Sequence, residues 1–246
     1  MKDVVKLFSL FVCILTAISG SAQTKDSYEY NSEFTWGINK NSSGGLIGGF
    51  VFKKAFKIND RLLQTYGLEI MNVKGPQEVK VQSQTGNYFI YGKNNYLYAL
   101  RLQYGRDLIL VTKAPQQGVE IKLVTAIGPS IGIVAPYYIE RAADGGGNPY
   151  VTVHEQYNPN NPADALGNIY GTGNLFEGIF QSKIQMGGNA KVAFNFELGT
   201  IKSQVTGFEA GFLVDAYLNK VVMMPTAHNN AVFPTVFFTL FYGSRK

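Results

Sequence analysis

Few side chains in this chain could carry covalent chemistry. It has two histidines, His154 and His228, and one cysteine, Cys13. A histidine beside a hydroxyl and a carboxylate can take the hydroxyl proton and make the oxygen a nucleophile. Ser130 or Ser182, with Glu140, could complete such a set and attack an outer-leaflet lipid ester. The local sequence argues against it, because there is no Gly-x-Ser-x-Gly elbow. Ser130 lies instead in the alternating run Gly128-Pro129-Ser130-Ile131-Gly132. Metal binding is served no better. There is no His-x-x-x-His pair and no acidic calcium-loop spacing, and Asp144 before Gly145-Gly146-Gly147 reads as a turn. Nothing in these residues calls for a metal or a cofactor.

Charges at alternate positions are more informative. Glu69, Arg101, Glu120, Lys122, Lys191, Glu197, Glu209 and Asp215 fall on the polar faces of runs whose other faces are apolar. Inside a small barrel, mixed signs neutralise one another as buried pairs, since an unpaired buried charge is costly. Arg101 and Lys122 are then expected to offset Glu69, Glu120, Glu197 or Glu209. The competing reading is a charge-selective channel. Eight strands, however, enclose a space barely wider than their own side chains.

The elements that would position these charges show period-two alternation, the mark of a strand with two unlike faces. Eight segments carry it: 34–39, 46–52, 65–71, 96–105, 119–133, 191–199, 207–216 and 232–242. The clearest sets Tyr96, Tyr98, Leu100, Leu102 and Tyr104 against Ala99, Arg101, Gln103 and Gly105. A soluble sandwich alternates in the same way. Two details favour a membrane barrel. The polar faces are rich in Gly, Ser and Thr, and Trp36, Tyr66, Tyr96, Tyr104 and Tyr242 gather near segment ends as interfacial girdles do. The gaps agree: on one side 57–61, 112–118 and 200–204 are short, whereas on the other the short 41–44 turn is followed by the long 74–94, 140–188 and 219–231. Short turns on one side and long loops on the other are the asymmetry of outer-membrane barrels. The expected fold is therefore all-β, a closed antiparallel transmembrane β-barrel of about eight strands with long extracellular loops.

The N-terminus fits that compartment. Lys2 and Lys6 precede the apolar run 7–15, and Gly20 and Ala22 supply small residues before a cut at Gln23. That reads as a signal peptide over 1–22, leaving 23–246 as one barrel domain. The run is too short for the ~20 residues of a spanning helix. Beyond Cys13 the chain has no cysteine, which excludes disulfides and thiolate sites in the mature protein. Only 16% of residues are charged, and the net charge of +5 is dispersed, so a nucleic-acid partner is not indicated.

The leader, the Gly128–Gly132 stretch and the aromatic last strand Val236–Tyr242 resemble the small outer-membrane β-barrels of the Bacteroidota. That resemblance implies an outer-membrane location and no single activity. Family members commonly end on an aromatic residue, whereas here Gly243-Ser244-Arg245-Lys246 follow Tyr242.

The long loop 140–188 is the best site candidate. It is acidic on balance, carries a patch at 165–180 that reads as a short helix, and offers Tyr157, Tyr170, Phe176 and Phe180. It could plug the mouth or dock a protein partner. The inner rim collects Lys53, Lys54, Lys57 and Arg61, which suits contact with outer-membrane lipid. The function these features favour is a non-enzymatic anchor or scaffold of an envelope or cell-surface assembly. A narrow channel or small-ligand transporter is the alternative, and a lipid-modifying barrel enzyme the third.

Overall fold

A computed structural model describes residues 30–75, 77–112, 118–143, 151–174, 177–198 and 203–246. The leader, the turn at Asp144, and Leu175 and Phe176 of the long loop lie outside the described residues.

The first three strands, β1 (Ser32–Asn41), β2 (Gly45–Asn59) and β3 (Leu62–Val73), run up, down and up. A small hairpin of β4 (Lys80–Gln82) and β5 (Tyr88–Ile90) precedes the long pair β6 (Asn95–Val111) and β7 (Glu120–Pro136). Three short strands follow, β8 (Tyr138–Ala142), β9 (Thr152–Gln156) and β10 (Ile169–Thr172). The chain ends with β11 (Lys183–Glu197), β12 (Gln204–Tyr217) and β13 (Val232–Arg245). The eight long strands form a closed antiparallel barrel, each beside the next in sequence and β13 closing on β1.

Each of the eight alternating segments coincides with one barrel strand, although 191–199 runs past the end of β11 at Glu197 and its residue 199 lies outside the described residues. The strands extend beyond most of the segments, several by five or more residues. The side-chain rows explain why. In β13, Phe233, Thr235, Phe237, Thr239 and Phe241 are buried, while Val232, Val236, Phe238, Leu240 and Tyr242 are exposed. The alternation continues through Gly243 and Arg245, so the tail after Tyr242 is strand and pairs with Thr35 and Glu33 of β1. Outward rings hold neighbouring strands in register. Phe196, Phe208 and Phe238 stack across β11, β12 and β13 with centroids 4.8 and 5.4 Å apart, and Trp36 meets Tyr242 edge-on across the closing seam. Inward, Gly132 leaves room for a ring. A Cβ there would come within 2.7 Å of Tyr217 Cε1.

The result is inside-out relative to a soluble protein. Large apolar side chains are exposed on the outer face of all eight strands, and the buried charged residues of those strands point inward. That is the distribution of a barrel whose outer surface meets lipid. Strands of 10–17 residues meet or exceed the ~9–11 that a tilted crossing needs. Among the described residues no helix is long and apolar enough to cross a membrane.

The outer loops build a cap rather than a disordered fringe. β8 lies between β10 and β9 in a three-stranded sheet, beside the β4–β5 hairpin. Among the described residues, the stretch expected to be helical holds only the single-turn 3₁₀ elements Leu166–Asn168 and Ile179–Gln181 on either side of strand β10, with a third at Pro162–Asp164 just before it. Gly167, Gly171, Gly173 and Gly178 punctuate it, and Gly178 has φ of +70°, so no continuous helix can form.

A sealed lumen beneath a folded cap as the candidate functional site

The lumen is packed with charge. From the middle of the barrel towards the cap, seven groups alternate in sign along one chain of contacts. Asp107 accepts from Lys53 at 2.8 Å, and Lys53 reaches Glu209 at 3.2 Å. Lys191 then bridges Glu209 and Glu69 at 3.0 and 2.9 Å. Arg101 donates from Nη1 to Glu69 at 3.0 Å and from Nη2 to Asp215 at 2.6 Å, and its Nε also bonds Asp215. Ser130 closes the chain by donating to Asp215 at 2.9 Å.

A second cluster fills the end near the chain termini. Lys122 lies 3.3, 3.2 and 3.6 Å from Glu33, Glu120 and Glu197. Arg245 pairs with the same three carboxylates, while its guanidinium rests over the Tyr30 ring. All eight charged residues singled out in the sequence are therefore buried and brought into these two clusters. Sequence reasoning missed Glu33, Lys53, Asp107 and Arg245. Lys53, read as a rim residue, instead points into the lumen, because it shares a face with Val51 and Gly49 while Lys54 takes the opposite one.

Apolar side chains fill the space above the charges. Met71, Val73, Leu97, Val134, Tyr217 and Phe233 of the barrel pack with Val221, Met223 and Met224, which the 218–231 loop dips into the mouth. Asn229 fixes the dip. Its side chain accepts from the Met223 and Met224 amides and donates to the Met224 and Ala227 carbonyls. Among the described residues the plug thus comes from this loop and not from 140–188.

The longer loop builds the cap. Phe89, Tyr137, Ile139, Tyr157 and Ile169 form its buried core. The Ile90 amide donates to the Tyr137 hydroxyl at 2.9 Å and the Gly92 amide to that of Tyr157, tying the hairpin to the sheet. Ser83 and Thr85 both donate to the Tyr170 carbonyl. Tyr157 and Tyr170, expected as exposed anchors, are accordingly 1% and 6% exposed and hold the cap together. Phe180 is fully exposed, one residue into the last 3₁₀ turn before β11. Leu166 of the 165–180 patch is exposed on the cap, as are Tyr88 and Tyr91, which were not singled out in the sequence.

Two charged groups of the cap are perturbed. Burial pushes the Lys93 ammonium below its usual range, although Glu78 lies 2.8 Å away. Burial, reinforced by Glu155, pushes the Asp164 carboxyl up to about 6. Asp164 shares the Arg141 guanidinium with Glu155 and accepts from the Asn158 amide at 2.8 Å.

Of the residues considered for catalysis, Glu140 and His154 stand opposite each other on β8 and β9, but no serine joins them, since the Ser182 hydroxyl donates to the Ile179 carbonyl. Ser130 is sealed in the lumen, His154 sits on β9 with its Nδ1 3.1 Å from Glu177, and His228 lines a small crevice beside Met223. Among the described residues no group of three or more His, Cys, Asp or Glu is placed to hold a metal ion.

Together these observations define an eight-stranded, inside-out antiparallel barrel, filled by ion pairs, plugged at one mouth and roofed by a small β cap. No family model matches the chain, and no curated protein matches it in sequence. Solved structures similar in shape include Ail, the attachment invasion locus protein of Yersinia pestis. It has 9% identity and a TM-score of 0.40, over 89% of this chain and 99% of that one. Another is Neisserial surface protein A, at 11% identity and a TM-score of 0.37, over 88% and 97%. At such distance the likeness carries no activity across.

Proposed function

We propose that this chain is a non-enzymatic outer-membrane barrel that anchors a rigid cap at the cell surface as a scaffold for another envelope or surface protein. Its leader over 1–22 and its resemblance to Bacteroidota barrels belong to the same reading. The observation that carries it is the filled lumen. Interlocked ion pairs beneath an apolar plug leave the barrel nothing to conduct, while the cap above is folded around its own core. A conductive pore needs a continuous polar path, and Met223, Met224 and Tyr217 interrupt one. Binding hot spots are exposed aromatic or apolar anchors set among polar residues. On this cap Tyr88, Tyr91 and Leu166 answer that description better than the buried Tyr157 and Tyr170. Phe176 and the rim residue Phe180 remain part of the proposed contact.

The test has two arms. In planar bilayers the purified protein should give no discrete conductance steps, and regular steps would favour the channel reading. A chain with Tyr88→Ser, Tyr91→Ser and Leu166→Ser should fold as before but lose proteins that co-purify with the parent in mild detergent. Full retention of those proteins would remove the cap from the account.

A further inference from the structure

The outward surface of the barrel is apolar almost everywhere, and one departure from that rule is organised. Close to the end bearing the chain termini, Phe56 of β2, Tyr66 of β3 and Tyr104 of β6 form a continuous edge-to-face row, with centroids 6.2 and 5.5 Å apart. A cation stands at each end of the row. The Lys54 ammonium lies 5.6 Å from the Phe56 centroid, and the Arg106 guanidinium 5.8 Å from that of Tyr104. Neither forms an ion pair with a carboxylate among the described residues. Lys54 donates to the Ser32 hydroxyl at 3.3 Å and Arg106 to the Tyr104 hydroxyl at 3.2 Å, so both are satisfied only by neutral oxygens and ring faces. Between them the Tyr66 oxygen accepts from Gln64 at 2.6 Å, which leaves its own proton to donate.

We propose that this face of β2, β3 and β6 binds one anionic phospholipid of the leaflet nearer the chain termini, with its phosphate between Lys54 and Arg106 and its acyl chains along the rings. The inference rests on the outer-membrane reading above. The register sets Lys54 beside Tyr66, Tyr66 beside Tyr104, and Gln64 beside Arg106, so the two cations stand on strands two spacings apart. That is about 10 Å, a span that two long side chains can close around one phosphate. Towards the barrel centre the same outward columns become Phe52, Leu68 and Leu102, a surface for hydrocarbon. Two cations without a counter-charge select for net negative charge, because a zwitterionic headgroup brings an ammonium that they repel. Cations at the membrane surface strengthen binding to anionic lipid by about fivefold each.

The chain carries its own probe for this face. Trp36 is the only tryptophan in the sequence, and it sits outward on β1 opposite Phe52, next to the Phe34–Lys54 pair. The full-length protein would be reconstituted into phosphatidylcholine vesicles doped with brominated phosphatidylglycerol, or with brominated phosphatidylcholine at equal fraction. Bromine quenches tryptophan at short range, so quenching reports which lipid occupies the face. Stronger quenching by the brominated phosphatidylglycerol is expected, and in Lys54→Gln with Arg106→Gln the two lipids should quench alike. The shift of gel mobility on boiling would confirm that the variant barrel is folded. Equal quenching by both lipids in the parent, or an undiminished preference in the folded variant, would overturn the proposal. Absence of quenching by either lipid would instead place Trp36 outside the bilayer and overturn the outer-membrane reading itself.

Discussion

At the scale of single residues, the lumen charges behave as one linked set. Arg101 offers three N–H groups to two carboxylates that are themselves almost wholly buried. Replacing it with Met strands Asp215 with only Ser130 to donate to it. Breaking a buried pair by removing one partner costs about 3–5 kcal/mol, so Arg101→Met should lower the midpoint of urea unfolding markedly. Adding Asp215→Asn should restore part of the loss, and equal stability of Arg101→Met and parent would mean that the charges are not interdependent. Asp164 gives a pH prediction for the cap. Its carboxyl is held above the usual range, so the folded cap favours the protonated form. The stabilisation that this proton supplies is complete at low pH and is lost as pH rises through about 6. Hydrogen exchange in the cap, corrected for its intrinsic pH dependence, should slow as pH falls from 7.5 to 5, and Asp164→Asn should flatten the trend. A flat trend in the parent would refute the assignment. Much of this scale was legible from alternation, since Lys53, Asp107 and Arg245 continue the polar rows of Val51, Gly105 and Gly243. They were missed where a strand was ended too early or where neighbouring lysines were read as one group. A single-residue step changes the face entirely, as Lys53 and Lys54 show.

At the scale of elements, the long strands and the loops differ in how they announce themselves. A barrel strand repeats its two-faced pattern five or more times, so each of the eight is visible in sequence. Strands β4, β5, β8, β9 and β10 hold three to five residues each, too few for any period to emerge. Their order comes from long-range contacts, such as the Tyr170 carbonyl accepting from Ser83 and Thr85. The plug is equally hidden, for the run Val221-Val222-Met223-Met224 has no alternation and is placed by Asn229 and by Asn94 and Asn95 donating to the Met223 carbonyl. Tyr137 is the cap's central pillar, fully buried and bonded to the Ile90 amide. Truncating a buried aromatic to alanine costs about 3–5 kcal/mol, more than a small cap is expected to survive. Tyr137→Ala should expose the segments around β5 and β9 to limited proteolysis while the barrel keeps its heat-dependent mobility. An equally resistant cap would show that the barrel rim alone orders these loops.

At the scale of the whole molecule, alternation, loop asymmetry and closure are all consistent with one arrangement, a closed barrel with an apolar solvent outside it. The structure supplies the third of these, which sequence could only expect, by pairing Trp36 with Tyr242 across the β1–β13 seam. It also settles an ambiguity that alternation leaves open, since the apolar rows face outward and the charged rows inward. The sequence favoured an anchor over a channel on lumen width alone, and the loop residues that pack into the mouth show no alternation to announce them. The most direct measurement of the central claim is fractionation of cells producing the chain, followed by gel electrophoresis with and without boiling. The account predicts recovery in the outer membrane, with the unboiled protein migrating differently from the boiled one. Recovery in the soluble periplasm, with identical migration before and after boiling, would contradict it.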